Sequence, residues 1–355
     1  MLSLRKIGIS VLVVTLMIGL IGFTALPAAK AAKPIVLRMA YPSADRGFAP
    51  EMIKWWGSNV EKHSGGKIKV EYYWGGLLGT SKEMLYSIER GTCDVGVIFP
   101  MYFEKELPLA TVNTCLIGTF ENDPVITSRA WWQLNKEFPE ISKEWEAHNQ
   151  KLLIGWEVGP YLWMSKKPIK TFNDLKGLKC GVWGGKGPRE LFKNLGSIAI
   201  AIPSVEVYDA LDKGTMDARA CTTPMMITYK YYEVCKYVTD IGNGTAGSPV
   251  YAMSINLDTW KSIPHDLQKV ILDVSNDWWG YFEEKVTKAQ KQDRVFLEGK
   301  GMKFLEFSDA DKANVWATPV FKKYKEKYIK RAKGSAQVAE KIYNRCKELL
   351  KEVKR

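Results

Sequence analysis

The chain has 355 residues and carries 51 Lys and Arg against 39 Asp and Glu, a formal net charge of +12 at pH 7. The lysines are scattered, mostly paired with nearby acids and densest between Lys322 and Arg355, so the excess reads as solvated faces and not as a nucleic-acid surface. Three well-separated histidines (His63, His148, His265) leave a zinc site or a histidine-based triad little to draw on.

The N-terminus has the layout of a secretory signal peptide. Arg5 and Lys6 form a basic start, Ile7 to Phe23 is unbroken apolar or small sequence, and Ala29-Lys30-Ala31 fits a small-x-small cleavage site. The alternative is an uncleaved membrane anchor. No cysteine lies near the cleavage site, which argues against a lipid-anchored form. Removing 1–31 takes away Arg5, Lys6 and Lys30, leaving 324 residues of net charge +9, enough for two lobes of an exported, soluble protein. An exported location also argues against nucleic acid as a partner.

Beyond Pro34 the pattern alternates strands and helices. Ile35 to Ala40 reads as a strand, Pro50 to His63 as a helix stopped by Ser64-Gly65-Gly66, and Ile68 to Trp74 as a second strand. After the Gly75-Gly76-Leu77-Leu78-Gly79 loop, Ser81 is expected to cap a helix running to Arg90. Val95 to Phe99 lacks polar alternation and reads as a buried strand. Pro124 to Glu146 reads as a charged helical surface element, Leu152 to Val158 as a strand broken by Gly159-Pro160, and Tyr161 to Ser165 as another.

The stretch from Thr171 to Glu233 orders the rest. Leu178 to Val182 is an apolar strand, Trp183 to Pro188 a glycine-rich turn, Arg189 to Leu195 a helix and Ile198 to Ile202 a second strand. A helix from Val205 to Lys213 ends at Gly214, and Thr215 to Ala218 enters another strand. Helices between short apolar runs imply parallel strands, whose carboxyl ends hold ligands. Cys180–Gly185 and Ala218–Thr223 are therefore expected to face one small-molecule site. Val238 to Gly247 reads as a loop, Pro249 to Asn256 as a strand, Asp266 to Gly299 as a long helix, Lys303 to Phe307 as a strand, and Ala310 to Arg355 as helix broken at Pro319 and near Gly334.

Four stretches resemble the extracytoplasmic solute-binding subunits of TRAP transporters, the DctP-type family. They are Leu37-Arg38-Met39-Ala40 after the leader; Gly75 to Asp94 with Glu83, Gly91 and Thr92; Lys167-Pro168-Ile169-Lys170-Thr171 through Lys179; and Glu206 to Asp217 continuing to Tyr237. The resemblance implies an α/β, two-lobed periplasmic-binding-protein fold with hinge strands and a long bracing helix. It places 32–155 with about 246–285 in lobe I and 156–245 with about 286–355 in lobe II. It further implies a periplasmic monomer without cofactor or catalysis, which closes on a small organic anion and hands it to TRAP permease membrane subunits.

The chain departs from that family at its usual anchor. Glycine stands in Gly177-Leu178-Lys179-Cys180-Gly181-Val182 where the resemblance implies a carboxylate-binding arginine, and Asp217-Ala218-Arg219-Ala220-Cys221 is altered as well. A second arginine expected before the Lys-Pro segment is replaced by a stretch holding Tyr161 and Trp163. The site is expected to be relined towards an apolar or aromatic acid.

Arg219 is the sharpest replacement, since arginine suits a carboxylate's two oxygens; its alternative is a surface arginine or one paired with Asp217. Gly181 would open room for a bulkier ligand. Trp183-Gly184-Gly185-Lys186-Gly187-Pro188 fails the phosphate-loop pattern, because Cys180 replaces its first glycine and Gly187 its Ser or Thr. Its free backbone N–H groups still suit a carboxylate. Trp74, Trp163 and Trp183 are the tryptophans placed in the cleft, with Phe99 and Tyr102 at the end of the third strand. Arg46 would supply a second cation, or else be an exposed loop residue; Met225 and Cys221 would add a soft wall, or else pack in the core.

Two other function classes compete. An exported cysteine-dependent enzyme would use Cys180 or Cys221, yet no stretch assigned to the cleft carries a histidine base. A membrane-anchored sensor would share the fold. Six cysteines without a CxxC pair leave either a disulfide framework or buried thiols open.

Overall fold

A computed structural model of the chain describes residues 33–112, 123–157, 159–182, 186–242 and 250–353. The leader, Cys115, Val158, Trp183, Gly184 and Gly185 lie outside them. In order the elements are β1 Ile35–Ala40, α1 Phe48–His63, β2 Ile68–Tyr73, α2 Met84–Glu89, β3 Val95–Ile98, α3 Pro124–Glu137, α4 Pro139–Ala147, β4 Gln150–Glu157, β5 Leu162–Ser165, β6 Lys179–Val182, α5 Lys186–Asn194, β7 Ile198–Ala201, α6 Val207–Asp212, β8 Ala218–Cys221, α7 Thr223–Thr228, β9 Tyr237–Asp240, β10 Val250–Asn256, α8 Leu257–Ser262, α9 His265–Gly299, β11 Lys303–Glu306, α10 Asp309–Trp316, α11 Val320–Arg331 and α12 Ala336–Glu352.

Two mixed sheets form the centres of two lobes, ordered β2-β1-β3-β10-β4 and β11-β9-β5-β8-β6-β7. β1 runs parallel to β2 and β3, whereas β10 is antiparallel to both β3 and β4. In the second sheet β6 is parallel to β7 and β8, and β5 is antiparallel to β8 and β9. The expectation of parallel strands therefore holds within each βα segment. It fails where the chain returns from the other lobe, because a returning strand enters from the opposite end.

The long helix α9 braces both lobes, as expected. Its 35 residues extend about 52 Å at 1.5 Å per residue. In its first half Ser275 Oγ accepts from Trp56 Nε1 (3.0 Å) and Trp278 Nε1 donates to Met52 O (3.2 Å), both on α1. In its second half Asp293 accepts from Thr223 Oγ1 of α7 at 2.9 Å. α11 is a second tie: Tyr328 Oη donates to Leu109 O in the first lobe (3.1 Å) and Tyr324 Oη to Gly187 O in the second (2.8 Å).

Three expectations about elements are corrected. The segment after Gly79 begins its α-helix at Met84, not at a Ser81 cap; Thr80 instead gives both its N–H and its hydroxyl to Glu83, which fixes that turn. Pro124 to Glu146 is neither one helix nor a surface element. It breaks at Phe138-Pro139, and Trp131 and Trp145 are about 1% exposed, with the Trp131 ring against Gly155 of β4 and its Nε1 donating to Ala110 O at 2.9 Å. Val238 to Asp240, expected as the start of a loop, belong to strand β9, which pairs with β5 and β11. Only Val238 and Thr239 of that strand are buried, a signal too short for alternation to register. Among the described residues no helix is long and apolar enough to cross a membrane.

Candidate functional site

A cavity of about 750 Å³ opens between the two lobes, within the size range of small-molecule sites. The first lobe contributes Tyr41 and the loop through Pro50, then Gly75, Lys82, Phe99, Met101, Tyr102 and Tyr251. The second contributes Tyr161, the β7 exit from Ala201 to Val205, Arg219, Thr222, Met225 and Tyr229. Most of these belong to a strand end or the loop that follows it, where an α/β sheet leaves room for ligand, while Met225 and Tyr229 come from α7 and its end.

Arg219 lies in β8, between β5 and β6 near the middle of its sheet, in register with Met164 on one side and Gly181 on the other. Its side chain is 1% exposed. Nη1 donates to Ile202 O at a long 3.4 Å, Nε has no partner, and no described carboxylate forms an ion pair with it. An arginine this deep ordinarily comes paired, because removing a charge from water without compensation is costly. Asp217, the alternative partner, accepts instead from the backbone N–H of Lys179 at 3.0 Å. The guanidinium thus has unused donors at the cavity wall.

The space beside Gly181 is occupied by the protein's own side chains. A Cβ at 181 would come within 2.4 Å of Met216 Sδ and 3.1 Å of Arg219 Cδ.

The rest of the wall is phenolic. Five tyrosines line the cavity: Tyr41, Tyr102, Tyr161, Tyr229 and Tyr251. Phe99 packs edge-on against Tyr251 (4.8 Å), Tyr102 (6.3 Å) and Tyr41 (6.5 Å). Burial pushes the hydroxyls of Tyr41, Tyr161 and Tyr251 well above the ordinary phenol range, so they remain neutral donors and acceptors. For Tyr161 the nearby Arg219 charge pulls the other way without prevailing.

The remaining expected residues divide. Phe99, Tyr102, Arg46 and Met225 line the cavity, and Tyr161 Oη lies 4.0 Å from Met225 Sδ. Trp74 stands behind the wall, edge-on to Tyr41 at 6.0 Å and stacked on Tyr72 at 5.3 Å. Trp163 does not reach the cavity: in mid-strand opposite Ala220, it stacks on Phe192 at 4.5 Å and is fully buried. Cys221 is likewise enclosed with Met226, Tyr231 and Cys235 in the core of the second lobe. Trp183 falls outside the described residues.

The model of the family DctP, "Bacterial extracellular solute-binding protein, family 7", matches residues 48–331. The chain belongs to this family. A solute-binding protein of Albidiferax ferrireducens is 23% identical over 74% of this chain and 76% of its own. A TRAP periplasmic solute-binding protein of Desulfovibrio salexigens, an open complex with the C-terminus of a symmetry mate in its ligand-binding site, superposes with a TM-score of 0.80. It is 22% identical, over 90% of this chain and 97% of its own. A TRAP solute-binding protein of Rhodoferax ferrireducens in complex with copurified benzoate gives 0.75 at 20% identity, over 90% and 98%. The resemblance to DctP-type receptors and the two-lobed fold are thereby borne out.

Within this DctP-family chain, sequence reasoning passed over Tyr41, Tyr161, Tyr229, Tyr251, Lys82 and Thr222. Tyr161 was visible: it follows the Gly159-Pro160 break at a strand's start, which turns it towards the cavity while Trp163 is held inside the sheet. Nothing local marks Tyr251. It reaches the wall because β10 returns to the first sheet beside β3.

Proposed function

We propose that this protein is the periplasmic, monomeric receptor of a TRAP transporter, capturing a small apolar or aromatic carboxylate and delivering it unaltered to the membrane permease. The observation that carries the reading is Arg219, a buried guanidinium without an acidic partner among the described residues, set at the wall of a tyrosine-lined cavity. It offers a carboxylate two parallel N–H donors from a deeply buried side chain, where charge-assisted bonds are strong. The rings of Phe99, Tyr102 and Tyr251 give a planar body edge and face contacts. Benzoate in the Rhodoferax relative agrees with that chemistry.

Cysteine catalysis is disfavoured by the same burial. It pushes the Cys221 thiol up to about 12 and Cys180 higher still, so neither supplies a thiolate near neutral pH. His148 contacts Glu89 and His265 contacts Gln268, neither pair among the cavity residues.

A thermal-shift panel of benzoate, 3-hydroxybenzoate, pyroglutamate and a sugar acid tests the proposal, followed by calorimetry of the best acid. Aromatic acids should raise the melting temperature most, and the bound acid should be recovered chemically unchanged. A sugar acid outranking every aromatic acid, or a ligand converted on incubation, would contradict it.

A further inference from the structure

Arg46 was expected to add a second cation for the ligand, but its surroundings assign it elsewhere. Its guanidinium carbon lies 4.8 Å from the ring centroid of Tyr229, which belongs to the other lobe. Beside it, a Cβ on Gly47 would meet Thr228 Oγ1 at 3.1 Å, so the backbone of this first-lobe loop rests directly against the end of α7. Gly47 holds φ at +87°, a conformation that side-chain-bearing residues rarely adopt.

Both sides of this contact are held in place beforehand. On the first lobe Asp45 pairs with Lys54 of α1 at 2.6 Å, and Arg46 N–H donates to Ala44 O at 2.9 Å. On the second lobe Lys230 takes the left-handed conformation at φ 56°, which brings Tyr229 face to face with Tyr231 at 5.4 Å and 14°. Tyr231 is fully buried, and its hydroxyl donates to Ser204 O at 2.5 Å. Backbone strain of this kind persists only where surrounding structure enforces it. Here it turns the half-buried Tyr229 into a fixed platform for a cation from across the cavity mouth.

The geometry points to a latch: Arg46 and Gly47 of the first lobe dock on Tyr229 and Thr228 of the second and favour closure through the protein's own contacts. This rests on the capture reading for its purpose, but it is a property of the ligand-free chain. Arg46 then governs how readily the lobes part, and hence the ligand's escape. An exposed cation–π pair of this kind shifts the ratio of closed to open forms by about two- to five-fold.

The test uses the full chain without ligand. Spin labels at exposed Ser58 on α1 and exposed Lys213 after α6 report the distance between lobes by pulsed electron resonance. The latch predicts that Arg46→Ala and Tyr229→Leu each raise the long-distance population about two- to five-fold, that the double variant adds nothing further, and that Tyr229→Phe behaves as wild type. Circular dichroism and melting temperature, measured on each variant, separate lobe opening from loss of fold. Distances unmoved by either single variant, or an additive double variant, would overturn the latch. Because no ligand enters the measurement, failure of every acid to bind would leave this result standing and would count only against the capture reading.

Discussion

Gly181 and Arg219 are register partners on adjacent parallel strands, and the space that a side chain at 181 would fill holds Arg219 Cδ and Met216 Sδ. The glycine that removes a cation from β6 is the same glycine that admits one from β8. A cation displaced by one strand spacing, roughly 4.8 Å, still reaches the same cavity.

Gly181→Ala should therefore act on Arg219. The methyl group must displace Met216 Sδ and crowd the arginine's aliphatic shaft, an overpacking that costs about 1–3 kcal/mol. The expected result is a lower melting temperature together with weaker binding of the best acid, while the bound stoichiometry stays unchanged. A loss of affinity confined to bulky acids, with the melting temperature unchanged, would instead mean that the glycine makes room for the ligand.

Trp163 separates core from wall. Trp163→Ala removes a fully buried indole stacked on Phe192 and should cost on the order of 3–5 kcal/mol in urea unfolding. Tyr161→Phe should cost well under that, yet change the ranking of hydroxylated against unsubstituted aromatic acids. The reverse pattern would place the indole in the site.

The contrast shows what the sequence made legible. Element types follow from periodicity and from glycine stops, the two-lobed plan came with the family resemblance, and Arg219 stood out because it ends a strand in a motif altered from that family's pattern. Whether a given aromatic faces the cavity depends on strand register and on how far along its strand it lies. Trp163 and Tyr161, two residues apart, end in different places because Gly159-Pro160 frees one and the pairing with Ala220 fixes the other. Tyr229 required the left-handed Lys230 and the docking of the opposite lobe, neither of which leaves a mark in the local pattern.

Glu144 should set a pH dependence that is independent of ligand. Burial raises its carboxyl to about 7, against the opposing pull of the Ala110 and Leu109 N–H groups, which it accepts at 3.0 and 2.7 Å, and of Arg331. The folded state therefore binds this proton more tightly than the unfolded chain, whose glutamate titrates near 4.3. The stabilisation is complete below about pH 4.3 and is lost as pH rises through about 7. Allowing for partial exposure, it amounts to roughly 1–2 kcal/mol. Urea unfolding at pH 5 and pH 8 should show Glu144→Gln with a smaller pH difference than wild type; an equal difference refutes the assignment.

Thiol chemistry gives a further check. Burial raises the thiols of Cys93, Cys221 and Cys235 to about 12 and Cys180 higher still, so iodoacetamide at pH 8 should leave these four unmodified in the native protein and label them after unfolding. Peptide mass mapping reads the outcome. Rapid native labelling of Cys221 with loss of an activity would revive the enzyme reading.

The central claim is that Arg219 is kept buried and underused for the ligand's sake, at a cost to the empty protein. The direct measurement is the melting temperature of Arg219→Met with and without a saturating acid that binds wild type. Replacing a buried, unpaired cation by an apolar chain of similar length is expected to stabilise the ligand-free fold by about 1 kcal/mol or more, a rise of roughly 2–4 °C, and to abolish the ligand-induced shift. A ligand-free protein that melts lower than wild type while keeping its full ligand-induced shift would contradict the account.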